Sequence, residues 1–258
     1  MTWHTHEITN QFDELQNYKL FATDTPLREA LARAGAASFE AQLDTYGTTL
    51  GQAETYALAD QANRYTPELK SFDARGRRVD QVQFHPSWHR LMALYRGQGL
   101  IAMPFADERP GRWSAWAAGF YLHGQVEAGT LCPATMTQAA IPLIQREPAL
   151  WAAMKDQLLS PDYDERDVPL ADKKSMWVGM GMTEKQGGSD VRANTTTATP
   201  TGQCEREFTL RGHKWFFSAP MCDAHLVVAR TPEDGLACFF VPRWRPDGLL
   251  RSLGPPFA

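Results

Sequence analysis

The 258-residue chain has only four cysteines, Cys132, Cys204, Cys222 and Cys238, and none stand in C-x-x-C spacing. A chain this long with 43% hydrophobic residues buries a real core without staples, so the thiols read as reduced. No run of about 18 apolar residues occurs, which excludes a membrane-spanning helix. Met1-Thr2-Trp3-His4-Thr5-His6-Glu7 lacks the basic start and apolar stretch of a signal peptide. A cytoplasmic protein is expected. There is no basic excess either: the net charge of −4 argues against a chain-wide nucleic-acid footprint. Internal repeats and low-complexity tracts are missing, and helical and strand-like segments do not alternate, which excludes a Rossmann core.

What is present divides into two textures. Residues up to about Lys19 are polar with scattered aromatics and read as an arm. Thr25-Pro26 opens a helix expected to run to about Tyr46, with Thr25 as N-cap. Leu50, Ala53, Ala57 and Leu58 mark a second helical segment that ends at Tyr65-Thr66-Pro67. A turn at Asp73-Ala74-Arg75-Gly76 precedes a short stretch from Val79 to Phe84. Further helices follow around Trp88 to Tyr95, Trp116 to Val126, Pro133 to Leu143 and Leu150 to Leu158, and the one ending at Val126 is apolar on nearly all sides, as at the centre of a bundle. Ser160 to Pro169 is acidic, flanked by proline and without period, and reads as a linker.

Beyond it come short β-rich runs: Thr195 to Thr199, Glu207 to Leu210, Lys214 to Phe217, Leu226 to Ala229 and Ala237 to Val241. Turn signals at Pro200-Thr201-Gly202, Arg211-Gly212 and Glu233-Asp234-Gly235 separate them. The expected fold class is segregated α+β: an N-terminal helical bundle over 1–165, then an incomplete antiparallel β-barrel or sandwich domain over 172–258.

Chemistry concentrates in Trp177 to Ser218. Trp177-Val178-Gly179-Met180-Gly181-Met182-Thr183-Glu184 reads as a buried strand running into the polar loop Lys185-Gln186-Gly187-Gly188-Ser189-Asp190. Neighbouring glycines let a ligand approach main-chain N–H groups, and Thr183 and Ser189 add hydroxyls. Gly212-His213-Lys214-Trp215-Phe216-Phe217-Ser218 sets aromatic rings before a hydroxyl, which suits a flat ring packed on Phe216 with an edge atom bonded to Ser218. Together these describe a heteroaromatic cofactor with a phosphate tail. The competing reading is a hairpin-rich barrel whose glycines serve turns and whose aromatics are core.

The motif pair Met-Thr-Glu-x-x-x-Gly-Ser-Asp and Gly-x-Lys-x-aromatic-x-Ser resembles the flavin-binding signature of the acyl-CoA dehydrogenase family. Its spelling here is similar to the AidB-type branch of that family, homologues of the bacterial alkylation response. Phe84-His85-Pro86-Ser87-Trp88-His89 and Gln125-Val126-Glu127-Ala128-Gly129-Thr130-Leu131-Cys132-Pro133 extend the likeness over most of the chain. The resemblance implies FAD as cofactor, with Met182 and Thr183 touching the flavin, Ser189 holding the pyrophosphate, Phe216 and Phe217 at the ring and Ser218 near its N5 edge. It implies α,β-dehydrogenation of an acyl thioester such as acyl-CoA, and homo-tetramers of the full-length relatives.

Two departures stand out. Trp215 lies one residue before the usual stacking position, which Phe216 takes, so looser ring packing is expected. Lys185-Gln186 replaces the usual Pro-Gly at the acyl-CoA entrance. In the family a C-terminal helical domain supplies the catalytic base, and the chain's end at Ala258 reads as a truncation before that domain, so no catalytic residue is assigned. The alternative is a non-catalytic flavin-containing stress protein that protects or binds DNA, through the absent part.

Other constellations have plainer readings. His85 and His89 share a helical face, but no carboxylate or cysteine completes a metal set. His123 and Glu127 read as a satisfied core pair. Arg243, Arg245 and Arg251 read as a solvated basic end. Glu184 and Asp190 lie in the loop without a second carboxylate at an offset that would mark an acid/base pair.

Overall fold

The computed structural model describes residues 5–202, 206–233 and 235–244. Trp3, Cys204, Asp234, Arg245, Arg251 and the stretch ending at Ala258 lie outside them.

The first 165 residues are mainly helical: α1 Leu20–Thr23, α2 Thr25–Arg33, α3 Glu40–Leu50, α4 Ala53–Arg64, α5 Pro86–Gly97, α6 Met103–Ala106, α7 Arg112–Val126, α8 Leu131–Ile144 and α9 Pro148–Leu159. The helix expected from Thr25 to Tyr46 is two helices. Gly35, at φ 71°, ends α2 with Ala36 N–H donating to Leu31 O (3.0 Å) and Gly35 N–H to Ala32 O (3.1 Å), the paired bonds of a Schellman stop. The N-cap is Asp24 rather than Thr25: its carboxylate accepts from Leu27 N–H at 3.0 Å, and Thr25 and Pro26 are already inside the helix. The arm is irregular over residues 5–19 and touches down at its end. There Asn17 Oδ1 accepts the Ala53 N–H at the start of α4 (3.0 Å).

α7 is central as expected, touching α2, α3, α4, α6 and α8. One side is nonetheless open, for Trp113 and Tyr121 are exposed. A hairpin of β1 Glu68–Phe72 and β2 Arg78–Gln83 interrupts the helices, so the helical half is not purely α.

The second sheet contains β3 Val178–Gly181, β4 Thr197–Pro200, β5 Phe208–Arg211, β6 Ala224–Arg230 and β7 Leu236–Pro242. Segregated α+β therefore holds, with a six-residue 3-10 segment, Gly188–Ala193, as the helical intrusion. The antiparallel pairing expected of an incomplete barrel or sandwich holds for β4–β5 and β6–β7 but not for β3 and β4 against β6. The sheet is open and mixed among the described residues: β7 runs antiparallel along the whole of β6, so β3 and β4 share its other edge, both parallel to it. Parallel pairing demands long crossovers, and here the loop after β3 and the β4–β5 hairpin supply them.

No linker hangs between the halves. Residues 160–169 form no helix or strand but are pinned. The Arg96 guanidinium, fully buried at the end of α5, donates to the carbonyls of Gln157 (2.7 Å), Leu158 (3.1 Å), Ser160 (2.9 Å) and Met176 (2.9 Å) and lies 4.7 Å over the Trp177 ring. Arg243 holds Asp167 at 2.6 Å. One hydrophobic cluster runs from Phe21 and Leu43 through Leu122 and Ile141 to Val178 and Leu226. Thr137 on α8 joins the layers, donating to Pro133 O (2.8 Å) and accepting Val178 N–H at 3.0 Å on the edge of β3. That contact positions the strand carrying the first motif. No helix of the described residues is long and apolar enough to cross a membrane.

Candidate functional site

β3 is built of small residues because neighbours press against it. A Cβ on Gly181 would lie 2.5 Å from the Phe217 ring, and one on Gly179 2.5 Å from the His225 ring. Phe217 and His225 in turn lie ring against ring, centroids 4.5 Å apart. The glycines of Gly-Met-Gly-Met thus admit the second motif onto the first, a role beyond turn formation.

The two motifs meet directly. Trp215 N–H donates to Thr183 O at 2.8 Å. Ser218 is three residues further on, a reach of at most about 11 Å. Gly188 passes so close to Thr183 that a Cβ there would sit 3.0 Å from its hydroxyl, which places Ser189 beside the same corner. Met182, Thr183, Ser189, Phe216, Phe217 and Ser218 are brought into one neighbourhood. Met182, Ser189, Phe216 and Ser218 are exposed, Phe216 by 81%, while Phe217 is partly covered under the segment. The hydroxyls of Thr183, Ser189 and Ser218 have no hydrogen-bond partner among the described residues.

The strand expected over Lys214 to Phe217 is absent. Phe216 and Ala219 adopt φ of 51° and 54°, left-handed conformations that bulky L-residues avoid and that no ladder can accommodate. The segment is instead a strap. Ser218 N–H folds back on Phe216 O at 2.9 Å, and the His225 imidazole stands 3.3 Å from Ala219 O. Burial pushes the His225 pKa down to about 4, so the ring is neutral at pH 7 and donates through Nε2–H.

Glu184 is the residue whose role the sequence did not reveal. Only 4% exposed, it accepts from Thr195 N–H (2.7 Å) and hydroxyl (2.9 Å), Thr196 N–H (3.0 Å) and hydroxyl (2.5 Å), and the Lys214 ammonium (2.9 Å). Burial opposes its charge, but these donors together hold the carboxyl far below the usual range. A Thr-Thr pair following Thr-Glu by 11 and 12 residues was the available signal, and it carries no periodicity. Asp190 lies at the kink of the 3-10 segment, where its carbonyl accepts from the Gln186 amide at 3.1 Å.

The remaining candidates are structural. His85 caps α5, its Nδ1 accepting from Ser87 N–H at 3.2 Å, and His89 Nδ1 lies 2.6 Å from the Tyr163 hydroxyl. No group of three His, Cys, Asp or Glu among the described residues could hold a metal ion. His123 and Glu127 are joined through Thr130. The Thr130 hydroxyl donates to Glu127 Oε2 (2.6 Å), so it accepts from His123 Nε2–H (2.9 Å), and His123 Nδ1 accepts the Tyr46 O–H (2.6 Å). Arg243 is nearly buried on Asp167 rather than solvated. Cys132, Cys222 and Cys238 are free thiols.

A helical layer followed by a small sheet whose edge strand and strap carry this motif pair is the arrangement that the comparisons with known proteins match to acyl-CoA dehydrogenase homologues. Residues 10–165 match the family described as the adaptive response protein AidB N-terminal domain, and residues 179–254 match the middle domain of acyl-CoA dehydrogenases. The first match covers more than half of the chain, and the chain belongs to the AidB-type family of acyl-CoA dehydrogenase homologues. It is 48% identical over 255 residues to AidB of Escherichia coli (strain K12), covering 98% of this chain and 47% of that protein. Acyl-CoA dehydrogenase family member 11 of Caenorhabditis elegans is 30% identical over 219 residues, 83% of this chain and 34% of that protein. Among solved structures, Caenorhabditis elegans ACDH-11 in complex with C11-CoA superposes with TM-score 0.77 at 26% identity, covering 96% of this chain and 44% of that one. The apo form of Bd2924 gives 0.80 at 27% identity, covering 92% and 48%. The chain spans between about a third and about half of the length of these relatives.

Proposed function

We propose that this chain carries the flavin-facing half-site of an acyl-CoA dehydrogenase-like flavoprotein acting on an acyl thioester. The observation that carries the reading is the meeting of two motifs some 30 residues apart through the Trp215–Thr183 bond of 2.8 Å. The residues present fit FAD in kind: an exposed aromatic face at Phe216, three hydroxyls without a partner among the described residues, and loop glycines that admit a phosphate near main-chain N–H groups. When bound, the flavin would supply the hydride acceptor. Phe216 would cover part of the ring, Thr183 and Ser218 would orient its edge, and Ser189 would hold the pyrophosphate. The carbonyl of Met182 accepts from Asn194 and that of Thr183 from Trp215, so both residues would meet a ligand through N–H or hydroxyl groups.

The complex of Caenorhabditis elegans ACDH-11 with C11-CoA supports an acyl-CoA as the substrate class. The α-proton acceptor is assigned to no residue here, and tetramer formation and a cytoplasmic location belong to the same proposal.

FAD titration of the full 258-residue chain, followed by flavin fluorescence, tests the reading. Cofactor sites bury about 70–90% of their ligand, whereas Phe216 and Ser189 stand open, so saturable but weak binding is expected, roughly micromolar or weaker. Thr183→Val and Ser218→Ala should each weaken it about three- to tenfold, the worth of one hydrogen bond. No saturation up to roughly 1 mM FAD, or affinity indifferent to both substitutions, would overturn the flavin assignment. Salt-sensitive binding to duplex DNA without bleaching by an acyl-CoA would favour the non-catalytic alternative instead.

A further inference from the structure

We infer that Glu184 and Lys214 are a positioning pair that couples the loop after β3, residues 182–189, to the strap, residues 214–219, so that each keeps its shape only while the other is in place. The purpose of this coupling rests on the flavoprotein reading; its geometry does not.

Three features set this pair apart from an ordinary surface ion pair. First, both side chains are sealed, 5% and 8% exposed, so their attraction at 2.9 Å is little screened by solvent. Secondly, the carboxylate is shared. Besides Lys214 it collects the N–H and hydroxyl of Thr195 and of Thr196, the residues that return the chain from the loop to β4. Lys214 likewise reaches the Met182 carbonyl at 3.4 Å, which Asn194 also engages at 2.7 Å. Thirdly, each member is next in sequence to a partner in the bond between motifs: Glu184 follows Thr183, and Lys214 precedes Trp215. Withdrawal of the ammonium leaves a buried carboxylate short of its one cationic partner among the described residues, and the backbone on both sides must move to let water reach it. The Trp215–Thr183 bond lies in that path.

The strap has a further reason to depend on the pair. Its left-handed Phe216 and Ala219 persist only where surrounding contacts over-determine them. Lys214 anchors the start of the strap, and His225 with Gly181 supports Phe217 and Ala219 at its end.

A second buried pair provides the control. Lys173 and Asp223 meet at 2.7 Å with side chains 5% and 7% exposed, and Asp223 also accepts the Trp177 N–H at 2.8 Å. It pins the opposite end of β3 and touches neither motif.

The test uses the full chain with Lys214→Met, Lys214→Arg, Glu184→Gln and Lys173→Met, comparing amide hydrogen exchange, thermal melting and FAD titration. Lys214→Met should speed exchange at least about tenfold in both 182–196 and 214–219 and weaken FAD by a similar factor. Lys214→Arg should restore much of both, and Lys173→Met should lower the melting temperature while leaving FAD affinity and the strap's protection near the starting values. Glu184→Gln keeps the shape and one acceptor oxygen, so it reports the coupling even if Lys214→Met does not fold. Faster exchange confined to the mutated segment, or equal FAD loss in Lys173→Met, would overturn the coupling. If the unaltered chain binds no FAD, the flavin reading falls, and exchange at both segments still decides the pair.

Discussion

His123 and His225 are neutral because burial strips solvent from the charged form, lowering both pKa values to about 4. An unfolded imidazole takes up its proton near 6.5, so between pH 6.5 and 4 the unfolded chain binds more protons and stability falls as pH falls. The full contribution is present above about pH 6.5, and each residue stands to cost up to about 3 kcal/mol by pH 4. Glu184 and Asp164, held low by their donors, add their losses only at more acid pH. Urea midpoints followed by circular dichroism should therefore drop between pH 7 and 4.5, and His225→Gln should make that slope shallower without abolishing it, since His123 and the burial-lowered His89 remain; a flat profile would contradict the burial argument. Gly181 makes a second prediction at this scale. With a Cβ 2.5 Å from the Phe217 ring, Gly181→Ala is expected to cost about 1–3 kcal/mol through overpacking and to displace the strap. Equal melting temperatures for the two proteins would refute it.

At the scale of elements, Arg96 ties α5 to the end of α9 and to the strand entering the sheet through four carbonyls. Arg96→Met keeps much of the volume but orphans those acceptors, each worth about 1–3 kcal/mol when buried, so destabilisation of at least about 3 kcal/mol is expected from urea titration. Lysine should rescue only in part, since its three donors lack the planar reach. Nothing in the sequence marks Arg96, a cation within an amphipathic helix like many solvated ones. Most helix and strand locations were legible because period and turn residues are local signals, but β1 was not, and the aromatic run from Lys214 to Phe217 imitated a strand. Gly35, for instance, was a visible stop within Ala34-Gly35-Ala36 that the longer apolar spacing masked. Strand direction was not legible, since whether β3 joins β6 parallel depends on where residues 182–196 take the chain. The motif residues were readable from type and spacing, whereas Glu184 acts through Thr195, Thr196 and Lys214, partners that only the folded chain brings together.

Across the whole molecule, the helical and sheet layers share one hydrophobic cluster, from Phe21 to Leu226, with Arg96 and Thr137 bridging them. Far-UV and near-UV circular dichroism should accordingly report a single coincident thermal transition; two separated transitions would show that the layers are independent. The parallel pairing of β3 with β6 also carries a timetable. Val178 leaves the ribosome about 46 residues before its partner Ala224, a delay of about 2 to 9 s at common synthesis rates. During that interval the helices can already be packed and Thr137 can hold one edge of the strand, but its other edge has no neighbour. The segment that presents Thr183 is thus made early and shaped late, and a pause in translation before codon 224 would prolong the time for which the nascent chain displays an unpaired apolar strand to chaperones.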